Sequence, residues 1–184
     1  YGGWESKHVV ELYAKYAERC FELFADRVKD WFTFNEPMVI VDGGYLYQFH
    51  YPKIVDGKKA VQVAYNLSLA SANAIENQLG LSDKGCQIGQ ILNLTPSYGS
   101  TESEEDQKAA EFSDLWCNRL FLDSSIKGEF PQKLVEILEK DGVLWDSTAE
   151  ELRIIKDNTI QVLGVNFYHP HRVESPDISP NSLT

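Results

Sequence analysis

The sequence predicts an α/β protein built on a parallel sheet, and two observations support this. Three short apolar segments, at 31–35, 87–94 and 162–168, have the composition of strands buried on both faces. The longer stretches between them carry apolar residues at helical spacing, so helices and strands alternate. No glycine-rich phosphate loop follows any strand, which disfavours a nucleotide-binding sheet. Three strands do not close a barrel, so the sheet is either open and doubly wound or a segment of a larger barrel.

The helices are predicted from apolar periodicity and from capping residues at their starts. Ser6 is a candidate N-cap for the first helix. Thr101 with Glu104, and Ser147 with Glu150, are candidate capping boxes for two later helices. The predicted helices run from Ser6 to about Arg27, from about Lys59 to Leu79 before Gly80, from Thr101 to about Leu122, from Pro131 through Lys140 and from Leu152 to Lys156.

Two regions are predicted to lack regular structure. The aromatic segment from Gly43 to Pro52 contains too much glycine and proline for a helix or strand. After His169 and Pro170 the chain becomes rich in serine and proline, so no further element is expected there.

Polar side chains stand at the carboxyl ends of the three predicted strands. Asn35 and Glu36 follow the first strand, and Asn166 and Tyr168 end the third on one side of it, because side chains alternate along a strand. The carboxyl ends of parallel strands share one edge, and α/β barrels place catalytic groups there. Asn93 ends the second strand, and we interpret it as a turn former.

Composition excludes several classes of function. The 184 residues carry a formal net charge of -11, which argues against binding to nucleic acid or to an anionic membrane surface. No apolar run is long enough to span a bilayer, and no signal peptide is visible in a chain that starts at Tyr1. Cys20, Cys86 and Cys117 are widely spaced in apolar stretches, which predicts three buried free thiols in a reducing compartment.

The chain resembles glycoside hydrolase family 1, the β-glucosidases and 6-phospho-β-glycosidases. The resemblance extends over most of the chain, with the motifs in the family's order. The matching segments are Gly2-Gly3-Trp4, then Tyr16-Ala17, Arg27-Val28 and Trp31, then Thr33-Phe34-Asn35-Glu36-Pro37 (the family's TFNEP), Asn66-Leu67 through Ala70, Phe121-Leu122-Asp123 with Gly128-Glu129-Phe130-Pro131, and Gly164-Val165-Asn166-Phe167-Tyr168. Tyr65 and Ser71 stand where the family's HNLLLAHA helix usually has its two histidines.

This resemblance implies a partial TIM (β/α)8 barrel. Residues 1–184 would be a single segment of a glycosidase catalytic domain, with its strands four to six and their crossover helices. It implies that the N- and C-terminal parts of the domain are absent, including the nucleophile of the family's TENG-type motif. Glu174 comes too early for that motif and is not assigned the role.

The resemblance also implies roles for four residues. Glu36 would be the general acid/base of a retaining double-displacement mechanism, and Asn35 would hydrogen-bond the sugar 2-hydroxyl. Tyr168 resembles the tyrosine that orients the nucleophile, and Asn166 would be a supporting polar residue beside it. No cofactor or metal is implied.

The substrate expected from this resemblance is a 6-phospho-β-glucoside, because the stretches Asp42–Tyr45 and Val63–Ala72 look most similar to bacterial 6-phospho-β-glucosidases. Such sugars are phosphorylated during uptake, which implies a cytoplasmic enzyme. Two alternatives stay open: a β-glucosidase for unphosphorylated glucosides, and a non-catalytic fragment that only binds or associates. Without its nucleophile, the isolated chain is expected to be inactive and to self-associate through unpaired strand edges.

Overall fold

A computed structural model of the chain describes residues 1–77 and 85–176. A short 3-10 turn at Gly3–Glu5 precedes the first helix. The helices are α1 (Lys7–Phe24), α2 (Pro37–Tyr45), α3 (Gly57–Glu76), α4 (Glu104–Asp114), α5 (Leu120–Ile126), α6 (Gln132–Lys140) and α7 (Ala149–Asp157). The strands are β1 (Asp30–Asn35), β2 (Gln87–Asn93), β3 (Ser97–Gly99), β4 (Val162–Asn166) and β5 (His171–Val173).

The three predicted strands form one parallel sheet in the order β1-β2-β4, which confirms the predicted α/β class. Helices connect β1 to β2 and precede β4 in the chain. The helix α3 is buried along most of its length against α1, α2 and the sheet. The observed strands β2 and β4 end slightly earlier than predicted, at Asn93 and Asn166. The predicted end of the second helix, at Leu79 and Gly80, lies outside the described residues.

The pairing of β1 with β2 contains a bulge just before the carboxyl end of β1. Phe32 pairs with Gly89 and Asn35 pairs with Ile91, so β1 takes three residue steps where β2 takes two. Bulges of this kind redirect side chains, and they are over-represented at barrel rims and near active sites. Beyond the bulge, Asn35 leads directly into the turn at Glu36.

The prediction of irregular structure from residue 43 onwards was wrong at its start, because Gly43 and Gly44 belong to helix α2. Pro37 occupies the first turn of this helix, where its missing N–H is no loss. A Cβ on Gly43 would lie 2.6 Å from the Phe49 ring, and one on Gly44 would lie 3.0 Å from the Tyr51 carbonyl oxygen. The two glycines therefore allow the segment that follows to fold back closely onto α2.

The predicted capping boxes were wrong in detail. The α4 N-cap is Ser103, whose hydroxyl accepts from the Asp106 N–H at 3.2 Å, while Thr101 donates to the Asp106 carboxylate. The predicted single helix to Leu122 is interrupted by a π-helical turn at Leu115–Arg119 between α4 and α5.

The capping box of α7 lies one residue later than predicted, at Thr148 and Glu151. The Thr148 N–H donates to Glu151 Oε2 at 2.8 Å, and the Glu151 N–H donates to the Thr148 hydroxyl at 3.2 Å. Glu151 also accepts from Lys7 on α1, a long-range contact that the local pattern at Ser147 and Glu150 does not reveal.

The prediction of no element after Pro170 was also wrong. β3 and β5 form a two-stranded parallel sheet with Ser97 paired to His171 and Gly99 paired to Val173. Each strand has three residues, too few for an alternating pattern to be recognised in the sequence.

Two expectations about burial are corrected. Of the three free cysteines, only Cys86 is buried, whereas Cys20 and Cys117 are half-buried. β4 is not covered on both faces by the described residues, since Leu163 and Val165 are exposed on the face that they share with Gln90 and Leu92 of β2. Among residues 1–77 and 85–176, no helix is both long and apolar enough to cross a membrane.

Candidate active site

The candidate site lies at the carboxyl edge of the β1-β2-β4 sheet and is centred on Glu36. Glu36 occupies the left-handed region, with φ 51° and ψ 59°, and it is the N-cap of α2. A non-glycine residue held there costs on the order of 1–3 kcal/mol, and such strain clusters at active sites. The Glu36 N–H donates to the Ile91 carbonyl at 2.8 Å, and the fixed φ of Pro37 begins the helix, so the backbone is constrained on both sides.

The Glu36 side chain accepts hydrogen bonds from two residues of the third sheet strand and the segment after it. Asn166 Nδ2 donates to Glu36 Oε1 at 2.7 Å and lies 3.2 Å from Asn35 Oδ1. The Tyr168 hydroxyl donates to the same Glu36 oxygen. The carboxylate is thus held by an amide and a phenol, while Asn35 is held beside it by the same amide.

The Tyr168 hydroxyl is the donor in its hydrogen bond with Glu36. Its hydrogen bond to Glu36 raises the pKa of the Tyr168 phenol above its usual value, with smaller contributions from burial and from the Glu36 charge. The phenol therefore stays protonated at neutral pH and acts as a donor to the carboxylate.

All four residues singled out from the sequence come together. Asn35 and Tyr168 are exposed, and Glu36 and Asn166 are half-buried, so the cluster is open to a ligand. Asn93 is paired in register with Asn166 and shares its face of the sheet. Its interpretation as a turn former stays a prediction.

Sequence reasoning missed the residues that support β1 from behind the site. The Tyr13 hydroxyl on α1 donates to the Thr33 carbonyl, and Ser71 Oγ on α3 lies 2.7 Å from Thr33 Oγ1. Helical periodicity identifies Tyr13 only as a core-facing residue. At Ser71, the only feature of the sequence that could have drawn attention to the residue is that it replaces a histidine of the family motif.

Among residues 1–77 and 85–176, no group of three or more His, Cys, Asp or Glu side chains is arranged to hold a metal ion. The described cluster consists of a carboxyl group with amide and phenol donors around it.

A fixed carboxylate at the carboxyl edge of parallel strands, with helices packed against them, is typical of (β/α)8-barrel enzymes. The profile of glycosyl hydrolase family 1 matches residues 1–184, and the chain belongs to that family. The fold is a partial (β/α)8 barrel, as predicted.

Individual relatives agree with this assignment. The chain is 52% identical over 180 residues to the 6-phospho-beta-glucosidase GmuD of Bacillus subtilis, covering 98% of this chain and 38% of that protein. It is 32% identical over 177 residues to a 6-phospho-beta-galactosidase of Clostridium acetobutylicum, covering 92% of this chain and 37% of that protein. A family 1 β-glucosidase structure from Thermotoga maritima superposes with a TM-score of 0.82 at 31% identity, covering 93% of this chain and 38% of that one. The chain thus spans less than two fifths of the length of these relatives.

Proposed function

We propose that the complete protein carrying this chain is a retaining β-glycoside hydrolase that acts on 6-phospho-β-glucosides. The observation that carries this proposal is the Glu36 carboxylate, held at the carboxyl edge of the sheet by Asn166 and Tyr168. The 52% identity to GmuD supports the phosphorylated substrate, since it is well above the 31% identity to the Thermotoga β-glucosidase structure.

The proposed mechanism needs an acid and a nucleophile. Cleavage of a glycosidic bond builds negative charge on the leaving oxygen and positive charge on the anomeric carbon. Glu36 protonates the leaving oxygen in the first step and removes a proton from the attacking water in the second. A second carboxylate, roughly 5 Å away in retaining enzymes, attacks the anomeric carbon. It is not among the groups that contact Glu36 in the described part of the chain.

The neighbours of Glu36 have proposed roles of their own. Asn35 is placed beside the acid, where its amide group can bind the 2-hydroxyl of the sugar, a contact that strengthens in the transition state. Asn166 holds Asn35 and Glu36 in one arrangement. Tyr168 donates to Glu36 in this structure, and in the complete site we assign its hydroxyl to orient the nucleophile.

Substitution of Glu36 tests the proposed acid. In the complete protein, Glu36→Gln should lower kcat/KM by about a hundredfold or more on phenyl glycosides, because general acid catalysis contributes about 10²–10⁴-fold. Dinitrophenyl glycosides, whose leaving group needs no proton, should lose far less. An equal loss on both substrates would remove Glu36 from the role of acid.

The phosphate requirement is tested separately. We expect kcat/KM to be much higher for phenyl 6-phospho-β-glucoside than for phenyl β-glucoside. The reverse preference would favour the alternative, an unphosphorylated β-glucosidase, for which the superposed Thermotoga enzyme is the precedent. Because 6-phosphorylated sugars form during uptake, we place the activity in the cytoplasm.

For the 184-residue chain by itself, we propose no turnover and self-association. β1 and β4 are the outer strands of the sheet and have free edges within the described residues, and free edges pair with other chains. Measurable Glu36-dependent hydrolysis by the purified chain, or a monomer that persists at high concentration in light scattering, would contradict this.

A further inference from the structure

The bulge in β1 decides which way Asn35 points. Thr33 approaches Ser71 on α3, and the Phe34 ring stacks on an α1 ring, so two consecutive side chains both face the helices. In a regular strand, Asn35 would lie on the same face as Thr33. The extra residue shifts the alternation by one, and Asn35 therefore lies on the opposite face, in contact with Asn166.

Thr33, the first residue of the bulge, is held through its backbone and its side chain. The Tyr13 hydroxyl on α1 donates to the Thr33 carbonyl. Ser71 Oγ on α3 lies 2.7 Å from Thr33 Oγ1, which in turn donates to the Gly89 carbonyl of β2 at 3.3 Å. Two helices and the neighbouring strand therefore hold one residue two positions before Asn35.

The Tyr13 contact is well placed to stay formed. The Tyr13 ring stacks on Phe34 with a centroid separation of 4.8 Å, and the Trp4 ring packs against both. Burial raises the pKa of Tyr13 well above its usual value, so the hydroxyl is protonated and can donate at neutral pH. Ser71 is buried, so bulk water does not compete for its hydroxyl group.

We propose that Tyr13 and Ser71 are positioning residues for the reaction: they hold the bulge at Thr33 and thereby set the direction of Asn35 and Glu36. This inference rests on the proposed function. Neither residue touches the substrate. Each acts through the backbone of β1 at Thr33. Asn35, the proposed 2-hydroxyl ligand, and Glu36, the proposed acid, follow Thr33 by two and three residues.

The first test is Tyr13→Phe in the complete protein, which keeps the stacked ring and removes only the hydroxyl. Small displacements of catalytic groups cost up to about a hundredfold in rate, and we expect kcat/KM for a phenyl glycoside to fall by about tenfold or more. A dinitrophenyl glycoside, which does not need the acid, should lose less, because its reaction depends only on the contact of Asn35 with the 2-hydroxyl. The matched control is Tyr16→Phe, the same change three residues along α1 at an exposed tyrosine, and it should leave both values unchanged.

The comparison of leaving groups separates positioning from stability. If Tyr13 only stabilised the fold, the variant would contain less active enzyme and both substrates would lose activity by the same factor. Equal losses, or no loss on the phenyl glycoside, would overturn the proposal for Tyr13. Ser71→Ala is the second variant, since it leaves the aromatic cluster intact and should show the same preference for the good leaving group.

A structural measurement keeps this inference distinct from the proposed function. In a crystal structure of the Tyr13→Phe/Ser71→Ala double variant, we expect Thr33 to move and the Asn35–Asn166 hydrogen bond to be lost. An unchanged bulge with Asn35 still bonded to Asn166 would refute the positioning role, whatever the enzyme hydrolyses. Full activity in Glu36→Gln would refute the proposed function. If the bulge still moved in the double variant, Tyr13 and Ser71 would nevertheless be shown to set the direction of Asn35.

Discussion

Asn166 and Glu36 are joined by a hydrogen bond of 2.7 Å, although Asn166 ends β4 and Glu36 follows β1, and these two strands are not neighbours. β2 lies between β1 and β4, and strands two places apart in a flat sheet are separated by roughly 10 Å. Both side chains extend from the carboxyl edge of the twisted sheet towards each other, and this closes the distance across β2. Asn166 therefore couples Glu36, which follows β1, to the end of β4.

Replacing Asn166 should disable the site more than it destabilises the fold. A hydrogen bond to a charged group contributes about 1.5–3 kcal/mol, so we expect Asn166→Ala to lower kcat/KM of the complete protein by about tenfold to a hundredfold. Steady-state kinetics on phenyl glycosides measures this. Asn93→Ala, at the position paired with Asn166 on β2, is the comparison and should leave kcat/KM near the parent value. Similar losses in both variants would contradict the interpretation of Asn93 as a turn former.

The parallel sheet and the membership of the site could be predicted from sequence because both depend on local patterns. Three apolar runs separated by amphipathic segments specify strands and crossover helices, and polar residues at the strand ends specify one edge. Asn35, Glu36, Asn166 and Tyr168 were found in this way, with the family motif supplying their expected roles.

The direction of Asn35 could not be predicted, because it depends on contacts between distant parts of the chain. The bulge is stabilised by Tyr13, 20 residues before Thr33, and by Ser71, 38 residues after it. Simple alternation through Thr33 places Asn35 on the wrong face. The shift of the α7 capping box has the same origin, since Glu151 is selected by its contact with Lys7, 144 residues away.

The ion pair between Lys7 and Glu151 should contribute measurably to stability. The Lys7 ammonium lies 2.6 Å from Glu151 Oε2, and the Tyr65 hydroxyl donates to the same oxygen at 3.1 Å. Glu151→Gln should lower the free energy of unfolding by about 1 kcal/mol, a value reduced for the exposure of Lys7. Urea denaturation measures this. Glu22→Gln breaks an exposed pair with Arg19 and should change the free energy of unfolding by much less.

The stabilisation by Glu151 should depend on pH in a defined direction. Burial of Glu151 favours its neutral form, but hydrogen bonds from Lys7, the Thr148 N–H and Tyr65 outweigh burial and lower the pKa of its carboxyl group. The contribution is therefore present above the pKa of the unfolded chain and is lost as pH falls through the lowered folded value. The difference in unfolding free energy between parent and Glu151→Gln should shrink on acidification. A constant difference down to acidic pH would contradict this account.

Asp42 should have the opposite effect on stability. Burial raises the pKa of Asp42 to about 6, although a hydrogen bond from the Trp116 indole opposes the shift. One carboxylate oxygen, Oδ1, is buried without a hydrogen-bond partner among the described residues. Between the ordinary pKa of an aspartate and about pH 6, the folded protein binds more protons at Asp42 than the unfolded chain does. Stability therefore falls as pH rises through this window, and ionised Asp42 destabilises the fold at neutral pH.

Asp42→Asn should remove this penalty. We expect the variant to be more stable than the parent at pH 7 by on the order of 2 kcal/mol, with little difference near pH 4. Thermal unfolding at a series of pH values measures the effect. Asp141→Asn, at the exposed C-cap of α6, is the control and should not give this gain in stability at pH 7. A loss of stability at pH 7 in Asp42→Asn would show that the carboxylate has a partner that compensates its burial.

Gly89 should be intolerant of any side chain because β2 and β4 approach closely there. A Cβ on Gly89 would lie 2.1 Å from the Val162 carbonyl oxygen and 3.1 Å from the Phe32 ring. Gly89→Ala must separate the two strands, and overpacking of this kind costs about 1–3 kcal/mol. Because β4 carries Asn166, activity should fall together with stability in the same variant.

Gly57→Ala, at the open start of α3 where a Cβ meets nothing within 4 Å, should leave activity unchanged and stability equal or slightly higher. Full activity in Gly89→Ala, measured beside this control, would show that the spacing of β2 and β4 does not set the geometry around Glu36.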